Sequence, residues 1–274
     1  MSASLTLLLL LGGGLGQPPS NPPAPDTKGE EQEARATAKK YAGEYVVQLD
    51  EVRGKDKKLR LEPEPVFRWI LQLDRRFYGD IYVWTNDGRP EVIASITTVF
   101  GPTRKMETEI HSLSTGRPVM SHDGKPIWEP AAAGVELKPV AGAPKPGATP
   151  AERLRQMRTL APEFSVVADY GSAAKEQKED LRLLGTPIYR YESASQGVAD
   201  GTLFAFSRGT DPEAFLMIEA RGKKGDLEWQ FAFARFVGHA SLRAVRAEKE
   251  VWQVDKLSLK VNTDPKQPYF GLRK

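Results

Sequence analysis

A segment of 38 residues occurs twice in this chain, and this repeat constrains the fold more than any other feature of the sequence. Residues 59–96 align without a gap on residues 181–218, which lie 122 positions further on, and nine of the aligned positions are identical. Unrelated segments of average composition share roughly two or three identities over this length. We therefore expect two copies of one structural unit.

Both copies contain the same pattern of aromatic and basic residues. An aromatic, Arg, aromatic triplet occurs as Phe67–Trp69 in the first copy and as Tyr189–Tyr191 in the second. Further downstream, Trp128 matches Trp252, although these two residues are 124 positions apart. Each unit would then span roughly 100 residues, which is an ordinary size for one domain.

The local patterns in each copy indicate a helix followed by several antiparallel strands. Residues 29–49 have apolar positions at helical spacing, and Thr149-Pro150-Ala151-Glu152 has the form of a capping box with proline at the first helical position. The Asn86-Asp87-Gly88 sequence favours a tight hairpin. The predicted fold class is α+β, a tandem duplication in which each unit is a helix packed on a curved antiparallel β-sheet meander.

The N-terminal region predicts export. Residues 5–11 are nearly all leucine, and Gly14-Leu15-Gly16 fits a cleavage site, although the first four residues carry no Lys or Arg. The apolar run is shorter than the ~20 residues of a membrane span, so we expect no integral span after signal cleavage. The predicted organisation is a signal peptide at 1–16, a Pro-rich tether at 17–28, a first α+β unit at 29–140, a linker at 141–150 and a second α+β unit at 151–274.

Composition excludes several functional classes. The chain has no cysteine, so it can form neither a disulfide scaffold nor a lipid-anchored lipoprotein. The net charge is +3 and the basic residues are dispersed, which argues against nucleic acid as a partner. No nucleotide-binding, nucleophile-elbow or zinc-protease motif is present. We therefore predict no cofactor, no metal and no catalytic residue, and an exported location in the periplasm, the cell envelope or the extracellular space.

Aromatic side chains at alternate strand positions are the strongest candidates for a binding site, because residues two apart on a strand point to the same side. Packing in the core, under the helix or between the two units, is the more common use of such residues, since large apolar pockets are few per protein. The candidate ligand-binding residues are Trp69, Tyr82, Trp84, Tyr191, Phe204, Phe206, Trp229 and Phe231.

A second candidate is the charged series Glu107, Glu109 and His111, which would share one strand face and could bind a metal or move protons. A register slip of one residue would instead turn Thr108 and Ile110 inward and the charged series toward solvent. We favour the solvated interpretation, because metal sites usually gather ligands from more than one element.

The repeated arginines, Arg68 and Arg190, are expected either to pair with Glu91 and Glu213 or to bind an anionic ligand. The structural ion pair is the favoured interpretation of the two.

Three stretches, at residues 181–193, 200–206 and 209–213, resemble a group of uncharacterised exported bacterial proteins. The resemblance covers most of the mature chain and implies no activity. The favoured function is a non-catalytic exported binding or structural module whose partner is a protein or an apolar small molecule. One alternative is a carrier that holds an apolar small molecule on an aromatic sheet face. The other is a metal-dependent or hydrolytic enzyme built on residues 107–111.

Overall fold

The computed structural model describes residues 27–49, 58–73, 75–171, 175–223 and 225–273. The predicted signal peptide at 1–16 and residues 17–26 of the predicted tether lie outside the described residues. The described chain consists mainly of antiparallel β-sheet with few helices, which agrees broadly with the predicted α+β class. Within these ranges no helix has the length and apolar character needed to cross a membrane.

The first half of the chain contains one long helix, α1 (Thr27–Glu44), and nine strands. These strands are, in chain order, β1 (Tyr45–Leu49), β2 (Arg60–Leu61), β3 (Phe67–Gln72), β4 (Arg76–Asn86), β5 (Arg89–Phe100), β6 (Lys105–Ser112), β7 (Pro118–His122), β8 (Lys125–Trp128) and β9 (Lys138–Pro139).

The second half begins with helix α2 (Pro150–Leu160), and a short helix α3 (Leu259–Asn262) precedes its last strand. Single 3-10 turns lie at Ala161–Glu163 and Ala194–Gln196. The strands are β10 (Phe164–Asp169), β11 (Lys178–Leu183), β12 (Tyr189–Ser193), β13 (Val198–Arg208), β14 (Asp211–Lys223), β15 (Asp226–Arg235), β16 (Ser241–Arg246), β17 (Lys249–Val254) and β18 (Tyr269–Arg273).

The strands form three antiparallel sheets. The first has the order β1-β7-β8, and the second has the order β18-β6-β5-β4-β2, with β3 also paired to β4. The third has the order β17-β16-β10-β11-β13-β14-β15-β9, with β12 also paired to β13. In the second half β10 pairs with both β16 and β11, and it thereby joins the small meander of β10, β16 and β17 to the large sheet. In the first half the small meander consists of β1, β7 and β8, and a single bridge between Gln48 and Lys58 lies at the equivalent position.

Strand pairing follows the same register in the two repeated segments. Trp69 lies opposite Gly79 and Tyr191 lies opposite Gly201, so both aromatic rings cover a glycine 122 positions apart. A side chain at either glycine would overlap the facing ring. The irregularity after Trp84 in β4 also recurs after Phe206 in β13.

Two local predictions from the sequence are confirmed. Thr149 and Glu152 form the reciprocal hydrogen bonds of a capping box at the start of α2. Asp87 and Gly88 have φ angles of 51° and 84°, which close the tight hairpin between β4 and β5. The first helix, however, ends at Glu44, and residues 45–49 form a strand that we had expected to be helical.

The last strand of each half pairs with the sheet of the other half. Strand β9 continues beyond β15, with Lys138 opposite Phe231, and β18 continues beyond β6, with Phe270 opposite Ile110. Each half therefore covers an open sheet edge of the other, which removes two exposed edges that could pair with other chains.

Buried apolar residues form three clusters, one between the two large sheets and one under each long helix. The central cluster includes Trp69, Ile81, Val83 and Ile93 from the first half and Tyr191, Leu203, Phe215 and Met217 from the second. The cluster under α1 includes Ala38, Ala42, Tyr82, Trp84 and Ile110, and the cluster under α2 includes Met157, Leu160, Phe204, Phe206 and Trp229. The large sheets are therefore apolar on both faces.

A cluster of buried charged side chains connects the second sheet to the third. The Arg89 guanidinium on β5 donates to Glu219 on β14 at 2.8 Å and to Glu91 at 3.2 Å, and all three side chains are almost fully buried. The Tyr191 hydroxyl donates to the same Glu219 carboxylate at 2.7 Å, and Arg221 donates to it at 2.5 Å. Burial and the phenol's proximity to Glu219 hold the pKa of Tyr191 well above its usual value.

The repeated arginines form ion pairs, but with partners that we did not predict. Arg190 donates to both carboxylate oxygens of Asp200, at 2.9 and 2.8 Å, and Arg68 lies 3.7 Å from Asp80. The predicted partners face elsewhere, since Glu91 belongs to the buried cluster around Arg89. The predicted pairing of Arg68 and Arg190 with Glu91 and Glu213 was therefore wrong, although the ion-pair interpretation was right.

Candidate functional site

The eight predicted aromatic residues do not form one face. Trp69 and Tyr191 lie between the large sheets, Tyr82 and Trp84 lie under α1, and the last four, Phe204, Phe206, Trp229 and Phe231, lie under α2. Residues paired directly across strands share a face, so Trp69 lies on the side of Gly79 and Ile81, opposite to Tyr82 and Trp84. The spacing of residues along one strand does not show which residues of the neighbouring strands share its face.

Of these eight residues, Phe231 lines an open groove on the surface of the second half. This groove has a volume of about 480 Å³ and lies between β15, β17 and the segment at residues 132–138. Its wall is aromatic, because the rings of Phe233 and Trp252 stack at 5.3 Å with an angle of 20° between their planes. We call this feature the aromatic groove.

A smaller cavity of about 200 Å³ adjoins the aromatic groove and shares Gly134, Phe233 and Trp252 with it. Polar side chains line it, namely His111, Arg235, Gln267 and Tyr269. We call this cavity the inner chamber. The two features together combine an apolar wall with a few convergent polar groups, which is the usual composition of a small-molecule site.

Arg235 is a buried cation in the inner chamber, with 6% of its surface exposed. Its guanidinium donates to the carbonyl oxygens of Val237, Asp255 and Ala240 at 2.9, 2.7 and 3.0 Å. The ring of Tyr269 covers one face of the guanidinium at 5.6 Å. Among the described residues no carboxylate lies within ion-pair distance of Arg235, so its direct contacts are carbonyl oxygens and an aromatic ring.

His111 reaches the inner chamber from β6. Its Nδ1 lies 2.7 Å from the Ser112 carbonyl oxygen, a contact that places the proton on Nδ1 and leaves a lone pair on Nε2. Burial, and to a smaller extent the charge of Arg235, lower the pKa of His111 to about 4, so the imidazole is neutral at pH 7.

The solvated interpretation was wrong for His111, because β15 of the third sheet covers this face of β6, whereas Glu107 and Glu109 are only partly buried. The register slip itself is present, since Ile93 pairs with His111 whereas Phe215 pairs with Ala234, an offset of 123 rather than 122. Thr108 and Ile110 turn toward the cluster under α1 as the slip requires. His111 is nevertheless buried, and the Glu109 carboxylate accepts a hydrogen bond from Tyr269.

The equivalent tryptophan in the first half is closed off. Trp128 is 1% exposed, and its indole nitrogen donates to the Gln267 carbonyl oxygen at 2.8 Å. The backbone of Pro265 and Lys266 also accepts hydrogen bonds from residues that follow Trp128. Trp252 has no such cover and is partly exposed in the aromatic groove. The two halves therefore differ at the place where the groove lies.

A second buried polar region contains three carboxylates near one another, those of Glu109, Asp211 and Glu213. Burial is the main cause that raises the pKa of Glu213 to about 7, and the negative charge of Glu109 adds to it. Burial and both neighbouring carboxylates also raise the pKa of Asp211 well above its usual value. Among the described residues no group of three or more His, Asp or Glu side chains could hold a metal ion.

His111 and Glu213 should give opposite pH dependences of the free energy of unfolding. His111 has a depressed pKa of about 4, so its contribution to the free energy of unfolding falls as pH decreases from 6.5 to 4. Glu213 has a raised pKa of about 7, so its contribution falls as pH increases from 4.5 to 7. We expect His111→Asn to make stability fall more steeply with increasing pH, and Glu213→Gln to have the opposite effect.

Urea unfolding between pH 4.5 and 6.5 measures these slopes, and each should differ from the wild-type slope by up to about 1.4 kcal/mol per pH unit. The substitution Glu228→Gln, at an exposed carboxylate, provides the control and should leave the slope unchanged. Equal slopes in wild type and both variants would show that neither group is perturbed by burial.

The largest cavity is less suited to selective binding. It has a volume of about 1130 Å³ and is lined by hairpin turns, by residues 145–148 and by the start of α2. Its buried cation, Arg153, is already engaged by Asp200 at 3.2 Å and by the carbonyl oxygens of Gly147, Ala148 and Ala199. The described residues that line this cavity also include no aromatic side chain.

Comparison with known proteins finds no matching family model, no matching curated protein and no matching solved structure. The function must therefore be inferred from the contacts and charges of the chain itself. Sequence reasoning did not select Arg235, although it ends the alternating series Trp229, Phe231 and Phe233. A charge that continues an apolar strand face was the signal that could have identified it.

Proposed function

We propose that this protein is a non-catalytic binding module that holds an apolar small molecule in the aromatic groove. The observation that carries this proposal is the partly exposed ring of Trp252, stacked on the buried Phe233, at a position where the first half encloses Trp128. The groove volume of about 480 Å³ lies within the range of small-molecule sites. Of the functions that the sequence suggested, the carrier of an apolar ligand fits this geometry best.

The aromatic groove can supply binding energy without rearrangement. Phe233 is buried and fixed between Phe231 and Trp252, so the wall is already in place before a ligand arrives. A ligand that covered ~100 Å² of apolar surface there would gain about 2.5 kcal/mol. An aromatic ligand would gain about 0.5–1.5 kcal/mol more for each favourable ring contact.

Fluorescence titration with the neutral probe N-phenyl-1-naphthylamine tests this proposal. The wild-type protein should bind the probe, and Trp252→Ala should weaken binding about tenfold because it removes half of the stacked wall. The substitution Ala133→Trp should also weaken binding, since Ala133 is an exposed residue at the groove and a large side chain there would fill it.

Leu259→Ala is the matched control, because Leu259 is an apolar residue with 70% of its surface exposed and does not line the groove. This variant should bind the probe as the wild type does. If Ala133→Trp and Trp252→Ala both retain wild-type affinity in folded protein, the aromatic groove is not the binding site.

We also propose that the protein acts after export, in the periplasm, the cell envelope or outside the cell. The apolar run at residues 5–11 and the Gly14-Leu15-Gly16 sequence support this location. N-terminal sequencing of protein recovered from its host should find a mature chain that begins at Gln17. A chain that retains residues 1–16 and remains inside the cell would contradict the proposal.

We further propose that the two halves arose by tandem duplication of one segment. Nine identities in 38 positions and the equal registers of Trp69 with Gly79 and of Tyr191 with Gly201 support this origin. Proton–proton contacts measured by NMR should place both aromatic rings over their glycines. A contact pattern in which Tyr191 faces a position other than Gly201 would contradict the proposal.

A further inference from the structure

We propose that the ligand of the aromatic groove carries a carboxylate and that Arg235 binds this carboxylate in the inner chamber. This inference rests on the proposed function, because it assigns the chemical class of the molecule held in the groove. The ligand would be a monocarboxylic acid with an apolar or aromatic body.

The charge of the inner chamber favours an anionic group. Arg235 is positively charged, His111 is neutral at pH 7, and burial keeps the Tyr269 phenol protonated by raising its pKa well above the usual value. The acidic groups whose charges act on Arg235 or Tyr269 are Asp255, Glu109 and Glu213, and the described lining of the cavity includes none of them. The lining of the inner chamber therefore carries one positive charge and no carboxylate.

The hydrogen-bond geometry of Arg235 also favours a carboxylate. The guanidinium has five N–H groups, and three of them donate to carbonyl oxygens, one each from Nε, Nη1 and Nη2. One N–H on each terminal nitrogen has no acceptor among the described residues. Two neighbouring N–H groups of this kind match the two oxygens of a carboxylate, which is the usual bidentate arrangement of arginine with an acid.

The inner chamber lies beside the aromatic groove. The two cavities are adjacent, because they share Gly134, Phe233 and Trp252, and we therefore place the body of the ligand on the aromatic wall and its short polar group toward Arg235. The chamber volume of about 200 Å³ accommodates a carboxylate with a few water molecules but not a second ring beside them. The apolar part of the ligand is therefore assigned to the groove and the acid to the chamber.

Competition against N-phenyl-1-naphthylamine at pH 7 tests this assignment with two matched ligands, 4-phenylbutyrate and its neutral amide, 4-phenylbutanamide. The unmodified mature protein should bind the acid at least about tenfold more tightly than the amide, because charge-assisted hydrogen bonds are roughly twice as strong as neutral ones. This comparison requires no substitution, so it does not depend on whether an Arg235 variant folds.

Substitutions then test which side chain causes the preference for the acid over the amide. Arg235→Gln should lose most of the preference for the acid over the amide, and Arg235→Lys should retain part of it. Arg243→Gln is the matched control, because Arg243 is a cation of the same half of the chain that lines neither the aromatic groove nor the inner chamber. This control should keep the full preference for the acid, and melting temperatures will show which variants remain folded.

The possible failures are distinguishable. Equal affinity of the wild type for acid and amide would overturn the carboxylate assignment and leave the proposed function intact. Absence of binding for the probe and for both ligands would overturn the proposed function as well. A preference for the acid that survives in folded Arg235→Gln, or that disappears in Arg243→Gln, would show that Arg235 is not the receiving group.

Discussion

Replacing Arg89 with methionine should lower the free energy of unfolding by about 3–5 kcal/mol, the usual cost of breaking a buried ion pair by removing one partner. Arg89 is 1% exposed and lies between the carboxylates of Glu219 and Glu91, which are also buried. Without the guanidinium, Glu219 retains Arg221 and Tyr191, whereas Glu91 retains a hydrogen bond from Gln196 and no cation within ion-pair distance. Urea unfolding at pH 7 measures the loss.

Arg243→Met provides the matched control for this prediction. Arg243 forms an ion pair with Glu250 at 3.1 Å, but both side chains are about half exposed, and such a pair contributes less than about 1 kcal/mol. Adding Glu91→Gln to Arg89→Met should recover part of the stability, because it removes the carboxylate that has lost its cation. A loss below ~1 kcal/mol for Arg89→Met would mean that water reaches the space between the sheets.

The substitution Trp84→Ala should also be severe, with an expected loss of about 3–5 kcal/mol in the free energy of unfolding. Trp84 is 1% exposed and packs under α1 beside Tyr45, at 6.4 Å between ring centroids. Truncation would remove this apolar surface and leave a cavity that the rigid sheet cannot close. Circular dichroism is the suitable measurement, since the substitution removes a fluorescent residue.

Trp84→Phe is the conservative control. The Trp84 indole nitrogen has no hydrogen-bond partner among the described residues, so phenylalanine loses volume but no hydrogen bond. We expect a loss well below that of Trp84→Ala. Folded Trp84→Ala should bind the neutral probe as the wild type does, whereas Trp252→Ala should not. If Trp84→Ala abolishes probe binding in folded protein, the cluster under α1 is part of the site.

The two halves share a strand arrangement but differ in what covers Trp128 and Trp252. Both halves place a tryptophan on the last strand of the small meander, Trp128 in β8 and Trp252 in β17. The segment before β18 closes over Trp128, while the segment before β9 leaves Trp252 open. The difference between these two connecting segments leaves Trp252, but not Trp128, accessible from a groove.

The sequence by itself determined the features that depend on neighbouring residues. The helix α2 begins where Thr149 can accept from the Glu152 amide, and the first hairpin turns at Asp87 and Gly88 because these residues adopt positive φ at low cost. The α+β class also followed from local patterns. These predictions succeeded because capping and turn formation are governed by interactions within a few residues.

Only the tertiary structure decided which face of each strand meets which neighbour. Strands such as β5 and β14 are apolar on both sides, so alternation gave no preference for one face, and the eight candidate aromatic residues were divided among three clusters. The exchange of β9 and β18 between sheets, and the burial of His111 beside Arg235, depend on residues more than 90 positions apart in the chain. Contacts over such separations leave no local pattern, because they arise from the packing of whole sheets.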